Sequence, residues 1–215
     1  VSVDRLFQEN KFDAVVHAAG ISNVDYAEKN YAECLESNVV GTLNVSSAAR
    51  RQGCRLIYVS SNAVFDGEDA PYSERMPLHP INKYGKIKFK CERLIMETIP
   101  DYCIVRPILM YGWNHPTSRQ NPVTWTLDKL KKGERIHLVN DIFENPLYNI
   151  ECGKGLWKII EGKHKGIFHF AGKDTVSRYE LGLRVARTFG LDAYLINPVP
   201  SSFFPGIAPR PKNTS

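Results

Sequence analysis

The 215 residues carry 28 Lys plus Arg against 23 Asp plus Glu, a formal charge of +5, with 43% hydrophobic and 24% charged residues. These are the proportions of a globular chain long enough to bury a core, and they exclude wholesale disorder, a collagen-like repeat and a disulfide scaffold. The apolar runs fall far short of the roughly 20 residues of a membrane span, and the dispersed basic residues leave no nucleic-acid footprint.

Lys129, Lys131, Lys132 and Arg135 form the densest basic group and suit a solvated helix end. Five cysteines, Cys34, Cys54, Cys91, Cys103 and Cys152, are odd in number and show no C-x-x-C spacing. That predicts reduced thiols and a cytoplasmic protein, with Cys54 and Cys103 in or near the core. Residue 1 is Val and no targeting segment precedes the first amphipathic stretch, so the chain is expected to be part of a longer product.

Residues 3–7 suit the end of a helix, and 12–19 (FDAVVHAA) predict a buried strand ending at Gly20. Between 26 and 52 the spacing of Leu35, Val39, Leu43, Val45 and Ala49 predicts one long helical region stopped by Gly53. The run 55–60 (RLIYVS) is a second strand. After a loop rich in Gly, Asp and Pro from 66 to 80, residues 84–97 have helical periodicity, and 102–106 (YCIVR) form a third strand closed by Pro107. Short apolar strands alternating with helices are the pattern of a parallel sheet covered on both faces. Beyond about residue 108, Pro116, Pro122 and Pro146 divide shorter segments, with strands expected at 135–139, 146–150 and 166–171 and helices at 124–132, 153–161 and 177–189. Ser177 and Glu180 have the spacing of a capping box. From Pro198 onward five prolines predict an extended strap without helix or central strand.

In such a sheet, ligands bind beyond the carboxyl ends of the strands. There stand His17-Ala18-Ala19-Gly20, Ser60-Ser61-Asn62 and Arg106-Pro107. The small residues of the first group would let a cofactor approach the backbone, or would simply make a tight turn. Tyr84 and Lys88 are four apart, hence on one helical face, where the ammonium would favour a phenolate and lower the tyrosine pKa from about 10. A serine hydroxyl from the preceding strand end would hold a carbonyl oxygen while the tyrosine transfers its proton. That set serves hydride transfer to or from a carbonyl, with a nicotinamide supplying the hydride.

HAAG at 17–20, Asn38 in NVVGT, VSSNAVFDG at 59–67, PINKYGKIK at 80–88 and VRPILMYG at 105–112 together resemble the extended short-chain dehydrogenase/reductases. VFDG before PINKYGKIK, and the closing APRPKNTS, are most similar to the dTDP-4-dehydrorhamnose reductase branch of nucleotide-sugar enzymes. The resemblance implies an α/β fold: a Rossmann-like doubly wound parallel sheet, partial because its first strands are absent, with a smaller C-terminal α+β substrate lobe. Residues 1–112 would be the NAD(P)-binding part and 113–215 the lobe and tail. Ser61, or Ser60 in its place, would be the serine of the triad, Tyr84 the acid/base, and Lys88 the residue that tunes Tyr84 and holds the nicotinamide ribose. Ala18, Ala19 and Gly20 would line the cofactor, Asn38 would support the site from its helix, and Arg106 and Pro107 would precede the loop beside the nicotinamide. The implied cofactor is NADP or NAD, the substrate a nucleotide-linked 4-keto-6-deoxy sugar, and the protein a possible homodimer.

The pattern is not complete. The branch places Asp and Tyr before VFDG, where this chain has Asn62 and Ala63, and the glycine-rich pyrophosphate turn of the superfamily does not occur in the 215 residues. The Asp-Glu pair of a 4,6-dehydratase is missing too, which disfavours that reaction. An epimerase with the same triad is an alternative, as is a non-catalytic subunit resembling the regulatory subunit of methionine adenosyltransferase, which KGIFHFAG, the capping-box helix and the PRPKN tail suggest. Asn62 would face substrate. Trp113, Trp125 and Trp157 are expected to pack, although Trp113, after the YG loop, would reach a sugar or base. Arg210 would pair with a substrate diphosphate through its fork of donors. His164 and His169 lack metal-ligand spacing and are expected in a surface turn and a strand, and no metal is expected.

Overall fold

The structure, a computed structural model, describes residues 2–115, 117–204, 206 and 208–215. Pro116 and Pro205, two of the prolines singled out in the sequence, lie outside the described residues, as does Val1. In chain order, helix α1 (Val3–Glu9) leads into strand β1 (Ala14–His17); α2 (Val24–Lys29), α3 (Tyr31–Leu35), a π-helical turn (Glu36–Val40) and α4 (Gly41–Gln52) follow, then β2 (Arg55–Val59), α5 (Lys83–Thr98) and β3 (Cys103–Pro107). The second half contains β4 (Met110–Tyr111), α6 (Pro122–Lys131), β5 (Ile136–Val139), β6 (Phe143–Glu144), β7 (Leu147–Tyr148) and α7 (Asn149–Glu161). After these come β8 (Gly166–Phe170), β9 (Val176–Ser177), α8 (Arg178–Phe189) and β10 (Ile196–Val199).

Four strands form one parallel sheet in the order β1-β2-β3-β8. Side chains alternate between its faces. Leu56, Tyr58 and Ile104 point into a cluster with Ala49, Ile87 and Ile95 of α4 and α5, while Ile57, Cys103 and Val105 meet Ile159 of α7 on the other face. Each fully buried Leu or Ile contributes about 1.5–3 kcal/mol of burial, and this two-sided covering is why the strands are continuous apolar runs. The registers His17 with Tyr58 and Val59 with Val105 align the carboxyl ends of β1, β2 and β3 along one edge. The site is built there.

A second cluster, Leu130, Ile136, Ala186 and Ile196, joins α6, α8 and the β5–β10 pair. The strand expected at 166–171 is not part of that lobe: as β8 it crosses back to pair with β3 from Cys103–Gly166 to Pro107–Phe170. Division at 112 therefore separates the chain without separating the sheet.

Three other local expectations change. The helical region from 26 to 52 breaks at Asn30, whose φ of −122° and ψ of 50° leave the helical range and whose amide bonds Tyr26 O, the usual competition of a short polar side chain with the helix ladder. Pro198 lies inside β10, which tolerates it because this two-stranded sheet pairs on one side only. The strap is not wholly extended either, since Ser201–Phe203 form a short 3-10 turn.

Candidate active site

At the end of β1, Ala18, Ala19 and Gly20 are exposed and present a shelf of backbone with no side chain beyond Cβ. Gly20 adopts φ of 145°, and a Cβ there would come within 3.0 Å of Asn38 Oδ1. Asn38, buried in the π-helical turn, clamps this shelf from behind: its Oδ1 accepts from Ile21 N at 2.7 Å and its Nδ2 donates to Ile21 O at 3.0 Å. His17, one residue before the shelf, bonds Thr42 Oγ1 through Nε2. Burial, aided by the charge of Lys88, pulls its pKa down to about 4, so it is neutral at physiological pH.

Ser61 caps the 3-10 turn Asn62–Val64, its Oγ accepting from Ala63 N at 3.2 Å. Tyr84 stands in the first turn of α5, capped by Asn82. Gly85 lets the two segments touch, because a Cβ there would lie 2.1 Å from Ala63 O. Burial raises the Tyr84 pKa to about 12, opposed by a hydrogen bond with Ser61. Lys88, one turn later, places Nζ 6.0 Å from the centre of the Tyr84 ring and 4.9 Å from that of Tyr58. Thus the structure brings Ser61, Tyr84 and Lys88 together.

The electrostatics differ from the sequence expectation in one respect. Lys88 does not draw the phenol below 10: Nζ donates to Val59 O at 2.9 Å, and burial lowers its own pKa to about 8. A phenol held at about 12 is protonated at neutral pH, the form that can give a proton. Lys88 is charged below pH 8 and loses its charge above it, so kcat/KM for any turnover that needs that charge is expected to be flat near pH 7 and to fall about tenfold by pH 9. A pH profile whose alkaline limb lies near pH 10 would contradict this.

The Ser60 and Arg106 side chains are taken up in a buried network. Ser60 Oγ donates to Glu92, and Arg106 forms a two-pronged pair with that carboxylate through Nε at 2.9 Å and a terminal nitrogen at 2.7 Å. The Arg106 and Glu92 side chains are 2% and 0% exposed. His169, expected as a plain strand residue, joins them, 3.2 Å from Arg106, while its backbone N–H donates to Glu74. Pro107 is buried as the last residue of β3. The guanidinium is thus committed to its carboxylate partner in the interior.

The three residues assigned to substrate separate. Asn62 accepts from Ser61 Oγ at 3.2 Å and donates to Thr214 Oγ1 at 2.7 Å. Arg210 is held by Asp25 of α2 through one terminal nitrogen at 2.8 and 2.9 Å, while its other terminal nitrogen donates to Ala208 O at 2.7 Å, so both terminal nitrogens are already engaged within the chain. Trp113 is 68% exposed and lines a cavity of about 730 Å³ with Tyr148, Lys173, Arg184 and Phe189; none of the triad lines it. Trp157 does not pack as expected: it is 60% exposed on α7, with its indole N–H donating to Glu161.

Gly85, Asn82 and Glu92 are site residues that the sequence reading passed over. Asn82 had a signal, since an Asn three residues before Gly85 at a helix start is a capping position. Glu92, four residues after Lys88, looks like a solvated i,i+4 partner. Among the described residues no group of His, Cys, Asp or Glu is placed to hold a metal ion.

The family model described as the RmlD substrate binding domain matches residues 1–215. The dTDP-4-dehydrorhamnose reductase of Aggregatibacter actinomycetemcomitans is 30% identical over 95% of this chain and 72% of its own length. Methionine adenosyltransferase 2 subunit beta of Xenopus laevis is 29% identical over 99% of this chain. The chain spans only 65% of the length of that relative. Among solved structures, the dTDP-4-dehydrorhamnose reductase of Bacillus anthracis in complex with NADP superposes with a TM-score of 0.93 at 28% identity, covering 98% of this chain and 74% of that one.

Proposed function

The chain belongs to the RmlD substrate binding domain family, and from that premise we propose that it serves the NADP- or NAD-dependent reduction of the keto group of a nucleotide-linked 4-keto-6-deoxy sugar. The observation that carries this reading is the convergence of Ser61 on Tyr84, with Lys88 Nζ 6.0 Å from the tyrosine ring centre, together with the exposed Ala18-Ala19-Gly20 shelf. The shelf fits a cofactor, because Asn38 fixes its backbone and no side chain covers it. Ala18, Ala19 and Gly20 would hold the nicotinamide half, with Tyr84 and Lys88 at its ribose. When bound, the dinucleotide supplies the hydride. Ser61 would then turn its one hydroxyl hydrogen from Asn62 Oδ1 to the carbonyl oxygen, and Tyr84 would give that oxygen its proton as negative charge develops there. The cationic Lys88 eases the phenol's loss of that proton.

We take residues 1–112 together with α7 and β8 as the cofactor-binding part and the remainder of 113–215 as the substrate lobe. The five cysteines are free, which suits a reducing, cytoplasmic setting; no described helix is long and apolar enough to cross a membrane. The homodimer would use an apolar outer face such as Val40 and Leu43, which are 46% and 45% exposed; sedimentation of a Leu43→Lys variant tests it.

The test of the reaction is nicotinamide absorbance on mixing the protein with reduced cofactor and dTDP- or UDP-linked 4-keto sugars. Steady consumption of reduced cofactor supports the reductase, and none across the panel rejects it. A second reading, a non-catalytic subunit, is favoured by the likeness to methionine adenosyltransferase 2 subunit beta over 99% of the chain. It predicts no consumption together with capture of a methionine adenosyltransferase catalytic chain.

A further inference from the structure

Two asparagines flank the triad, and each uses its amide in the same way. Asn82 Oδ1 accepts from Gly85 N at 2.8 Å, closing the first turn of the Tyr84 helix, while Nδ2 donates to Pro209 O at 2.9 Å. A carbonyl can only accept and a backbone N–H can only donate, so these partners fix the amide's orientation. Asn62 Oδ1 accepts from Ser61 Oγ, while Nδ2 donates to Thr214 Oγ1. In both, the accepting end faces a catalytic segment and the donating end faces residues 208–215.

That closing segment is tied down along its length. Ala208 N and one terminal nitrogen of Arg210 bond Asp25 of α2. Lys212 O accepts from Phe143 N at 2.7 Å, and Tyr72 N donates to Ser215 O at 2.8 Å. Gly67 makes room for it, since a Cβ there would lie 2.6 Å from Lys212 N. The segment therefore touches the cofactor side through Asp25, the lobe through Phe143, and both triad segments through Asn62 and Asn82. Asn82 is 2% exposed and Thr214 7%, so these bonds are shielded from competing water.

We propose that residues 208–215 are part of the active site as a positioning element, holding the Ser61 turn and the Tyr84 helix in register through the amides of Asn62 and Asn82. Asn62 is then a positioning residue for Ser61 and not a substrate contact. Its consequence for turnover rests on the reductase reading; the positioning itself does not. An Asn at position 62, where the reductase branch has Asp, suits this role because it can donate to Thr214 as well as accept from Ser61.

Asn82→Asp separates a helix-capping role from a clasping one. Aspartate caps as well as asparagine, but it has no donor for Pro209 O and sets a carboxylate against that carbonyl. Hydrogen exchange read by mass spectrometry on the full chain is expected to speed at least tenfold in 208–215 in this variant, with α5 protection unchanged. Thr214→Val should speed exchange at the Ala63 amide, which bonds Ser61 Oγ, and Thr214→Ser should restore it. In a protein that turns over keto sugar, both Asn82→Asp and Thr214→Val should lower kcat about tenfold with KM nearly unchanged. Slow exchange retained in 208–215 of Asn82→Asp, an unchanged Ala63 amide in Thr214→Val, or full kcat despite a released segment would each overturn the proposal. If the wild-type protein consumes no cofactor with any sugar, the reductase reading fails, and the two exchange measurements still decide the positioning.

Discussion

Tyr84→Phe is expected to lower kcat for keto-sugar reduction by about 10² to 10⁴-fold, the usual worth of a positioned proton donor, while leaving the fold and the affinity for reduced cofactor nearly intact. The ring is buried and stays in place, so its packing against the α4–α5 cluster is unchanged; only the hydroxyl that meets Ser61 is lost. Ser61→Ala should lose less, because Tyr84 can still deliver its proton to a less well held oxygen. Stopped-flow or steady-state absorbance of the nicotinamide, paired with a thermal melt, separates the two effects. A Phe variant with wild-type kcat would remove Tyr84 from the chemistry.

The largest effect on stability is expected from the carboxylate behind the serines. Glu92→Leu strips Arg106 of both its short hydrogen bonds and leaves Ser60 Oγ without its acceptor, in a place where the two charged side chains are 0% and 2% exposed. An uncompensated buried guanidinium costs about 3–5 kcal/mol. Replacing both partners, Glu92→Leu with Arg106→Met, should recover most of that, since the desolvation of the pair disappears with it. Chemical denaturation of the two variants checks the sign: a single variant within about 1 kcal/mol of wild type, against the range just given, would mean that the pair is not the buried charge unit described. His169 and Glu74 lie within the same network, so the double variant also tests how far they depend on it.

What was legible in the sequence was whatever is local. The ends of β1 and β2 declared themselves through small residues following β-branched runs, and the four-residue spacing of Tyr84 and Lys88 is a property of one helix. Asn38 came from the resemblance, and the structure gives it a physical task at the shelf. Interactions across long sequence separations were not legible. Arg210 and Asp25 are 185 residues apart, and Asn62 and Thr214 are 152 apart, so the arginine looked free for a diphosphate and the asparagine free for a sugar. The partner of Arg106 is hidden for a related reason: a strand-end arginine is equally suited to a ligand and to a buried partner, and only packing of α5 against β3 puts Glu92 in its reach. The break at Asn30 is hidden because the spacing that marks the helix, Leu35 to Ala49, lies wholly beyond it and says nothing of where the helix begins.

The π-helical turn Glu36–Val40 carries a consequence for deletions. A π turn holds more residues than an α turn, so Tyr31 to Gln52 is one helix with a local surplus. Removing a single residue from that turn would let the ordinary ladder run through, and the helix itself should gain regularity and resist melting better. Because the wide turn alone absorbs the surplus residue, the helix on either side should keep its face, and the change would fall on the turn itself, moving Asn38 away from Ile21 and releasing the shelf at Gly20. A shortened chain that is more robust to heat and has lost its cofactor affinity is the expected phenotype, with the irregularity kept as the cost of aiming one amide.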